Sequence, residues 1–449
     1  MKIHFIGIGG IGVSALAKYY LKRGDRVSGS DLASSEITDQ LKKMGAKIFI
    51  GPHKTLNLKL CARLSLAQLP ELVIHSPAVT PDNPELRAAR KWGVKCQSYP
   101  EALGQLTKNY FTIAVAGTHG KGTTTALISL ILIKAELDPT VIIGTKMKEF
   151  GDSNFRAGKS KYLVIEADEY KESFLNYWPK AIVITTIDKD HLDYFKNFAN
   201  IIKAFAKFVK HLPNNGTLVI NPNDQVPISN EIPNPNFQTR KYSLAQKEAK
   251  KLKKILKIPG EHILADALAA LALARSLKIP DRISFKALAE YRGAWRRFET
   301  KQSLVNNLKI TLINDYAHHP TEIDVTLKAV RQKYPKKQIW CVFQPHQYKR
   351  TFYLFKDFVR VLSKAPLDKL ILVDIYSVAG RESEAIKKKV GSEKLAKAVS
   401  GTLYIKTLTK AAKYLKESLK GNEVLVIMGA GDVYNLASLL TLKSKKENI

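Results

Sequence analysis

The sequence predicts an α/β protein of three consecutive domains, each built on a mostly parallel sheet. Three observations lead to this prediction. A glycine-rich turn follows the first apolar strand, a loop of glycine, lysine and threonine follows a later strand, and strand and helix patterns alternate through the last third. Such alternation is typical of βαβ units. The length of 449 residues agrees, because one hydrophobic core rarely grows beyond about 250–300 residues.

Composition excludes several other classes. Hydrophobic residues make up 45% of the chain and charged residues 25%, which excludes a disordered or fibrous protein. The three cysteines, Cys61, Cys96 and Cys341, are too far apart in sequence for a disulfide framework or a CxxC zinc site. No stretch approaches the roughly 18 apolar residues of a membrane-spanning helix. We therefore expect a cytoplasmic protein without a membrane partner.

The net charge of +32 raises the question of nucleic acid. The excess is spread over the three predicted domains, with +7 in residues 1–107, +12 in 108–297 and +13 in 298–449. The densest run, Lys247–Lys257, has six lysines and no aromatic residue, which is typical of a solvated helix face. We expect no specific nucleic-acid partner, although weak binding to polyanions stays open.

A G-x-G-x-x-G turn at residues 7–12 characterises the first domain. It lies between a predicted strand, Lys2–Ile8, and a predicted helix, Val13–Arg23, and Asp31 follows the next strand, Arg26–Ser30. In this arrangement the glycines allow close backbone approach, the helix N-terminus holds a pyrophosphate, and the acid binds a sugar hydroxyl. The turn predicts a Rossmann-like domain that binds either a dinucleotide or a nucleotide sugar. A glycine-rich turn without a ligand is the alternative.

A second glycine-rich loop characterises the central domain. Strand Tyr110–Ala116 runs directly into this loop, and a helix is predicted over Ala126–Ala135. The loop residues are Gly117, Thr118, His119, Gly120, Lys121, Gly122, Thr123, Thr124 and Thr125. The strict eight-residue phosphate-loop spacing is not met, and Lys121 is followed by glycine rather than by serine or threonine. The order of strand, glycine loop, lysine and threonine still predicts ATP bound with Mg²⁺.

Acidic residues and a histidine follow two more strands of this domain. Strand Tyr162–Ile165 ends at Glu166, and strand Ala181–Ile187 is followed closely by His191. Ligands collect at the carboxyl ends of parallel strands, and carboxylate with imidazole suits Mg²⁺ held together with substrate phosphates. Capping of the following helices is the alternative for each residue taken alone.

The last third contains a third set of βα units, which predicts a second Rossmann-like domain. Polar residues again follow strands, in the runs 315–320 and 346–350. A single histidine in such a place is usually a packing or capping residue. Imidazole, guanidinium and ammonium groups at two strand ends instead predict an anionic substrate.

Nine motifs together resemble the Mur ligase family, whose members form amide bonds with ATP in peptidoglycan precursor synthesis. The resemblance covers nearly the whole chain. The motifs are HFIGIGGIGVSALA (4–17), GSDLASSEIT (29–38), AGTHGKGTTT (116–125), EADE (166–169), DHLD (190–193), WRRFE (295–299), DYAHHPTE (315–322), FQPHQYKRT (343–351) and GAGDVY (429–434). They are closest to the members that join L-alanine to UDP-N-acetylmuramate.

The resemblance implies a two-step reaction in which a substrate carboxylate becomes an acyl phosphate and an amine then displaces phosphate. It implies ATP and Mg²⁺ as cofactors, UDP-N-acetylmuramate and L-alanine as substrates, and a monomer or weak homodimer. The implied catalytic residues are Lys121, His191, Arg297, His318, His346 and Arg350. The implied nucleotide-binding residues are Gly117, Thr118, His119, Gly120, Lys121, Gly122, Thr123, Thr124, Asp266 and Asp315 for ATP, and Gly9, Gly10, Ile11, Gly12, Ser30 and Asp31 for UDP. The implied Mg²⁺ ligands are Thr123, Glu166 and His191.

The chain departs from the family pattern at three places. Gly122 stands where the family has threonine, so we expect Thr123 to supply the hydroxyl. The family stretch GxHNxxN reads Gly260 to Asp266 here and lacks both asparagines. Gln347 replaces an arginine, and Lys349 is positioned to compensate as a point charge.

Three alternative functions remain. Glu169-Tyr170 resembles the acid–tyrosine pair of the murein tripeptide ligases, which join L-Ala-γ-D-Glu-diamino acid to the same UDP sugar. A regulatory NAD-binding protein with a vestigial ATPase would explain the first glycine turn, but it would not need the phosphate loop and the histidine clusters. A nucleotide-dependent nucleic-acid factor would explain the charge alone.

Overall fold

The computed structural model describes residues 1–61, 69–223, 228, 231–232, 236–378 and 382–441. The chain divides into two compact units. The first consists of Met1–Ile187, Ile201–Gln246 and Asp266–Leu288, and the second of Asp188–Asn200, Lys247–Ala265 and Ala289–Ile449. Both units are α/β, and together they contain three sheets.

The first sheet has the strand order β3-β2-β1-β4-β5, and all its neighbouring strands are parallel. Its strands are β1 (Lys2–Ile6), β2 (Arg26–Asp31), β3 (Lys47–Ile50), β4 (Leu72–His75) and β5 (Lys95–Ser98). The accompanying helices are α1 (Ile11–Lys22), α2 (Glu36–Lys43), α3 (Thr55–Cys61), α4 (Pro84–Lys91) and α5 (Tyr99–Thr107). This is the Rossmann-like arrangement that the first glycine turn predicts.

The second sheet has the order β12-β11-β10-β6-β9-β7-β8, and only the edge pair β7–β8 is antiparallel among the described strands. Its strands are β6 (Phe111–Ala116), β7 (Thr140–Met147), β8 (Ser153–Arg156), β9 (Tyr162–Ala167), β10 (Ala181–Ile184), β11 (Thr217–Ile220) and β12 (Gln238–Lys241). The helices along this part of the chain are α6 (Lys121–Lys134), α7 (Leu192–Phe195), α8 (Phe198–Val209), α9 (Lys247–Ile255), α10 (Glu261–Ser276) and α11 (Asp281–Glu290), with 3₁₀ turns at Lys148–Phe150 and Tyr170–Asn176.

The third sheet, in the second unit, has the order β13-β14-β18-β15-β16-β17, with β13 antiparallel to β14 and the other pairs parallel. Its strands are β13 (Glu299–Val305), β14 (Leu308–Asp315), β15 (Ile339–Phe343), β16 (Lys369–Leu372), β17 (Thr402–Tyr404) and β18 (Val424–Met428). The helices are α12 (Pro320–Lys333), α13 (Tyr348–Tyr353), α14 (Phe355–Ser363), α15 (Glu384–Lys389), α16 (Ser392–Ala398), α17 (Leu408–Ser418) and α18 (Leu436–Thr441), with a 3₁₀ turn at Asp432–Asn435. Every residue of β15 and β18 is buried, as expected for strands covered on both faces.

Two predicted helices need correction. The helix predicted over Ala126–Ala135 begins at Lys121, because Gly120 takes a left-handed conformation (φ +80°) and starts the helix immediately after it. The threonines that follow are helical despite their β-branched side chains, which lower helix propensity. In the last third, the sequence predicts one helix over Thr351–Leu362, whereas the structure has two helices there, α13 and α14, separated at Leu354 (φ −105°, ψ +17°).

A buried lysine joins α1 to β8 within the first unit. The Lys18 side chain is 3% exposed, and its Nζ donates to Asn154 Oδ1 (2.8 Å), Ser153 Oγ (3.1 Å) and Gln40 Oε1 (3.2 Å). Asn154 Nδ2 in turn donates to Ser14 Oγ at 2.9 Å. Burial, helped by the nearby Lys146 ammonium, lowers the pKa of Lys18 to about 8. Helix α1 therefore anchors the first sheet to the edge of the second through a desolvated ammonium group.

This lysine predicts a pH dependence of stability. Between pH 8 and the ordinary lysine value of 10.5, the unfolded chain binds the proton that the folded chain has released, so stability rises with pH in that window. The full gain is about 3.5 kcal/mol, from a pKa lowered by about 2.5 at about 1.4 kcal/mol per pKa unit. We expect the urea unfolding free energy of the wild type to rise relative to Lys18→Met between pH 7.5 and 10. Parallel pH curves for the two proteins would contradict this expectation.

None of the helices in the described part of the chain combines the length and the apolar character that crossing a bilayer requires.

Candidate functional site

The central glycine loop connects β6 to α6 and has the backbone of a phosphate-binding loop. Gly117 (φ +137°) and Gly120 (φ +80°) both occupy the left-handed region, and a Cβ on either would collide with Thr185 Oγ1 or the Asp266 carboxylate, respectively. The Thr118 amide donates to the Thr186 carbonyl at 2.6 Å, which fixes the loop against the end of β10. The two glycines are thus required by geometry, and Asp266 of α10 lies against the loop.

Lys121, the first residue of α6, folds its side chain back over this loop. Its Nζ donates to the Gly117 carbonyl at 2.6 Å and forms an ion pair with Glu169 at 2.9 Å. Burial alone would lower the pKa of Lys121, but the carboxylates of Glu169 and Asp168 outweigh it and raise the pKa. Lys121 is therefore a permanent cation, and a bound phosphate would compete with Glu169 for it.

Glu166, at the end of β9, lies beside the start of α6. Its Oε1 accepts from the Gly144 amide at 2.6 Å, and a Cβ on Gly122 would stand 3.3 Å from the same oxygen. A threonine at position 122 would crowd this carboxylate, which gives a physical reason for the glycine that departs from the family pattern. Thr123 and Thr124 are both buried, and the Thr124 hydroxyl has no hydrogen-bond partner in the part of the chain that the structure describes. The loop threonines and Glu166 form a set of hard oxygen donors, which is chemically suited to Mg²⁺.

The first glycine turn is closed by the carboxylate that follows β2. Asp31 Oδ2 accepts from the Gly9 amide at 2.8 Å, and a Cβ on Gly9 would lie 2.9 Å from that oxygen. The Ser30 side chain does not face the turn where UDP is predicted to bind. It is fully buried, and its Oγ donates to Glu85 Oε2 at 2.6 Å. The turn and Asp31 therefore lie together, whereas the Ser30 hydroxyl is directed into the domain interior.

Glu85 is the centre of this interior network and was not among the predicted site residues. Its side chain is fully buried and accepts from Asn57 Nδ2 (2.6 Å), while His4 Nε2 lies 3.0 Å and His53 Nδ1 3.4 Å from its oxygens. Burial would raise the pKa of Glu85, but the hydrogen bonds from His4 and His53 outweigh it and hold the pKa well below its ordinary range. No sequence signal identifies Glu85, because Pro-Glu-Leu at a helix start normally places the acid on the surface.

In the second unit, the motif at 295–299 contains two arginines with different environments. Arg296 is 5% exposed, donates to the carbonyls of Gly429 and Gly431, and lies 4.6 Å from the Tyr434 ring centroid. Arg297 is more exposed, and its guanidinium lies over the Tyr316 ring at 4.9 Å. Arg296 thus has a packing role, and the nucleotide contact predicted for Arg297 stays a prediction for the more exposed arginine of the pair.

Asp315 holds the turn that carries Arg297. Its Oδ2 accepts from the Phe298 amide at 2.8 Å and its Oδ1 from the Ala317 amide at 2.8 Å. Phe298 has a positive φ of 51°, which is uncommon for a non-glycine residue. Burial raises the pKa of Asp315 despite the nearby Arg297 guanidinium. The carboxylate predicted to bind ATP thus also fixes two backbone segments, the turn at Phe298 and the segment that follows β14.

The predicted histidines of the second unit lie near one another. The rings of His318 and His346 are 5.7 Å apart, and His346 stacks on Tyr376 at 5.5 Å. His318 Nδ1 lies 3.0 Å from the Tyr316 carbonyl and 3.2 Å from Glu322 Oε2. Because both of these oxygens accept hydrogen bonds, the proton of the neutral ring lies on Nδ1. The Nε2 atom is then unprotonated and can accept a hydrogen bond. Burial lowers the pKa of His318, so the ring is neutral at pH 7.

His262, in the stretch that lacks the family asparagines, is also neutral. Burial lowers the pKa of His262 to about 4, and its Nδ1 has no hydrogen-bond partner among the residues described. Position 263, the first missing asparagine, is a buried isoleucine.

His191 and Arg350 meet through Asp190. The Arg350 guanidinium donates to both Asp190 oxygens, and the Asp190 carboxylate accepts from the His191 amide at 2.7 Å. His191 has a positive φ of 51°. Lys349, by contrast, is 39% exposed and lies 3.9 Å from Asp193.

The second unit therefore brings together His191, Arg297, Asp315, His318, His346 and Arg350, and the first unit holds the two glycine turns, Glu166 and Asp266.

Three family models match the chain. The model described as the Mur ligase family catalytic domain matches residues 2–111, the Mur ligase middle domain matches 115–274, and the Mur ligase glutamate ligase domain matches 296–431.

The chain is also similar over nearly its full length to curated relatives. The UDP-N-acetylmuramate–L-alanine ligase of Acetivibrio thermocellus is 39% identical over 99% of this chain and 96% of the relative, and that of Clostridium acetobutylicum is 38% identical over 98% of each. The crystal structure of UDP-N-acetylmuramate–alanine ligase from Thermotoga maritima has a TM-score of 0.78 at 27% identity, covering 98% of this chain and 97% of that one. A murein peptide ligase from Psychrobacter arcticus shares the fold, with a TM-score of 0.73 at 20% identity over 99% of this chain and 100% of that one. The chain belongs to the Mur ligase family.

Proposed function

We propose that the protein joins L-alanine to the lactyl carboxylate of UDP-N-acetylmuramate, with conversion of ATP to ADP and phosphate, as a step of peptidoglycan precursor synthesis. The observation that carries this proposal is the near-full-length identity of 38–39% to ligases named for that reaction. The domain boundaries proposed from the sequence, 1–107, 108–297 and 298–449, remain part of the proposal.

In the first step the substrate carboxylate attacks the γ-phosphorus of ATP, ADP leaves, and an acyl phosphate forms. This reaction requires charge neutralisation and alignment rather than covalent help from the protein. The loop amides at 117–123 bind the phosphate oxygens, and Lys121 exchanges Glu169 for the β- and γ-phosphates. Thr123 and Glu166 of the first unit would hold one Mg²⁺ and His191 of the second unit another, and Mg²⁺ when bound neutralises phosphate charge. Arg297 and Asp315 are the proposed nucleotide-binding residues of the second unit.

In the second step the amino group attacks the acyl carbon, the tetrahedral intermediate collapses, and phosphate leaves. The amine must lose a proton. His318 is neutral with Nε2 as its acceptor, so this ring is suited to take that proton. Arg350 and His346 bind the anionic groups that meet here, and the charge on the intermediate is stabilised by fixed donors.

The first unit binds the UDP portion through Gly9, Gly10, Ile11, Gly12 and Asp31. We expect Ser30 to act through the Glu85 network rather than by touching the ligand, because its hydroxyl is buried.

The function is tested by phosphate release from ATP with UDP-N-acetylmuramate, comparing L-alanine with L-Ala-γ-D-Glu-diamino acid. We expect turnover with L-alanine. Turnover with the tripeptide alone would replace the proposal by the tripeptide ligase activity, which the Glu169-Tyr170 pair motivates. Turnover with neither acceptor would refute both activities.

The two loop threonines give a separate prediction. We expect Thr123→Ala to raise the Mg²⁺ concentration for half-maximal turnover about tenfold, the usual scale for loss of a metal-site group. Thr124→Ala should leave it unchanged, because Thr124 lies one residue beyond the position that replaces Gly122. A Mg²⁺ titration of phosphate release measures both. Equal effects would contradict the assignment of Thr123.

A further inference from the structure

We propose that Asp190 is a positioning residue: it holds the Arg350 guanidinium by one edge and directs the other edge toward His346. The inference rests on the proposed function, in which Arg350 binds the anionic groups of the second step. It assigns a role to an acid that lies between the predicted Mg²⁺ ligand His191 and the anion-binding residues.

The contact is bidentate and buried. Arg350 Nε lies 3.0 Å from Asp190 Oδ1, and Arg350 Nη2 lies 3.2 Å from Asp190 Oδ2. Each of the two residues is 8% exposed. A planar guanidinium that binds a carboxylate with two parallel hydrogen bonds has its plane and its rotation fixed.

The third guanidinium nitrogen of Arg350, Nη1, is directed toward His346. Arg350 Nη1 lies 3.3 Å from both the carbonyl and the Nδ1 atom of His346. His346 stacks on Tyr376 and lies next to His318. The Nη1 edge therefore lies among the groups that are predicted to meet the acyl phosphate and the amino acid.

The charge of Arg350 is largely balanced by Asp190. Both Asp190 oxygens accept hydrogen bonds from the Arg350 guanidinium, so the carboxylate faces the positive charge directly. Arg350 therefore recognises an anion through directed hydrogen bonds from a fixed edge, rather than as an unbalanced charge. Anion binding by Arg350 therefore depends on the orientation of its guanidinium, and Asp190 fixes this orientation.

Asp190 is itself held in place by its neighbours in sequence. Thr321 Oγ1 donates to Asp188 at 2.6 Å, and His319 Nε2 lies 3.0 Å from the Lys189 carbonyl. The segment Asp188–Asn200 belongs to the second unit, although it follows a strand of the second sheet. The carboxylate thus stands on the same compact unit as the arginine that it orients.

Steady-state kinetics of four variants test this role. We expect Asp190→Asn to raise the KM for L-alanine at least about tenfold with kcat within about threefold, because misplacement of a binding group by about 1 Å costs up to a hundredfold. Arg350→Lys keeps the positive charge but loses the two parallel hydrogen bonds of the guanidinium, and it should raise the KM for L-alanine by a similar factor. The KM of the double variant should be no higher than that of the poorer single variant. Asp357→Asn is the matched control, because it removes an exposed Asp–Arg pair with Arg360 at 2.9 Å, and it should stay within about twofold of wild type.

A KM that is unchanged or lower in Asp190→Asn would overturn the proposal, because Asp190 would then only compete with substrate for Arg350. The proposal would also be overturned if the KM increases of the two single variants multiplied in the double variant. Loss of stability alone would reduce the active fraction and therefore kcat, and it would leave KM unaltered.

Chemical labelling separates this proposal from the proposed function. Phenylglyoxal modifies accessible guanidinium groups, and peptide mass spectrometry reports each arginine. In the wild type we expect Arg350 to be protected like the buried Arg296 and Arg360 to react readily, since its side chain is 64% exposed. In Asp190→Asn, Arg350 should become reactive while Arg296 stays protected.

If the wild type has no L-alanine-dependent turnover, the proposed function fails, and the labelling decides the positioning role by itself. Equal reactivity of Arg350 in the two proteins would refute it.

Discussion

Lys121→Ala is expected to reduce ATP turnover by about a thousandfold or more while UDP-N-acetylmuramate affinity stays within about threefold of wild type. The reduction follows from loss of the cation at the β- and γ-phosphates, since removal of one fixed charge-stabilising donor typically costs 10²–10³ in rate, and a full charge more. In addition, Glu169 would lose its ion pair with Lys121, and its negative charge would repel the phosphates. Phosphate release and calorimetric titration of the nucleotide sugar measure the two quantities.

Lys134→Ala is the matched control, because Lys134 ends the same helix α6 that Lys121 begins. It should leave both quantities near wild type. If Lys121→Ala also abolished nucleotide-sugar binding, the assignment of that ligand to the first glycine turn would be wrong.

Glu85→Ala is expected to destabilise the first unit by about 3–5 kcal/mol. Removing the central acid of a buried charged network takes an acceptor from each of its other members, which is the case with the largest penalties. Here the groups that lose their acceptor include Ser30 Oγ, Asn57 Nδ2 and the His4 ring. Urea unfolding monitored by circular dichroism measures the loss. Asp39→Asn, at an exposed site in α2, should change stability by less than about 0.5 kcal/mol.

The same carboxylate gives an acid dependence with a definite sign. Because the folded pKa of Glu85 is well below its ordinary value of 4.5, its stabilisation is fully present above that value and is lost as pH falls below it. Glu85→Gln should therefore flatten the decline of stability between pH 5 and 3 relative to wild type. An unchanged acid slope would contradict the network as described.

Much of the site could be predicted because its residues occupy the ends of strands. The glycine turns, Glu166 and the 315–320 run all follow apolar strands, and parallel topology gathers such ends at one edge of each sheet. Arg297 could be predicted from its motif, but nothing in the sequence distinguishes its surface position from the buried one of Arg296.

The remaining features depend on tertiary contacts that leave little pattern in the sequence. Strands β8 and β13 are polar edge strands, SNFR and ETKQSLV, without clear alternation, so neither was predicted. Lys18 and Glu85 have the sequence context of surface residues, and only the fold buries them. The left-handed Gly120 that starts α6 could have been inferred, whereas the break at Leu354 could not.

The pairing of Asp190 with Arg350 has a consequence for synthesis of the chain. The two residues are 160 positions apart. At a translation rate of about 5–20 residues per second, Asp190 leaves the ribosome roughly 10–30 s before its partner. The second sheet can form during this interval, but the segment Asp188–Asn200 has to wait for the unit to which it belongs. A ribosome-bound chain ending before Arg350 would therefore keep this segment open to protease, and only release of the complete chain would protect it.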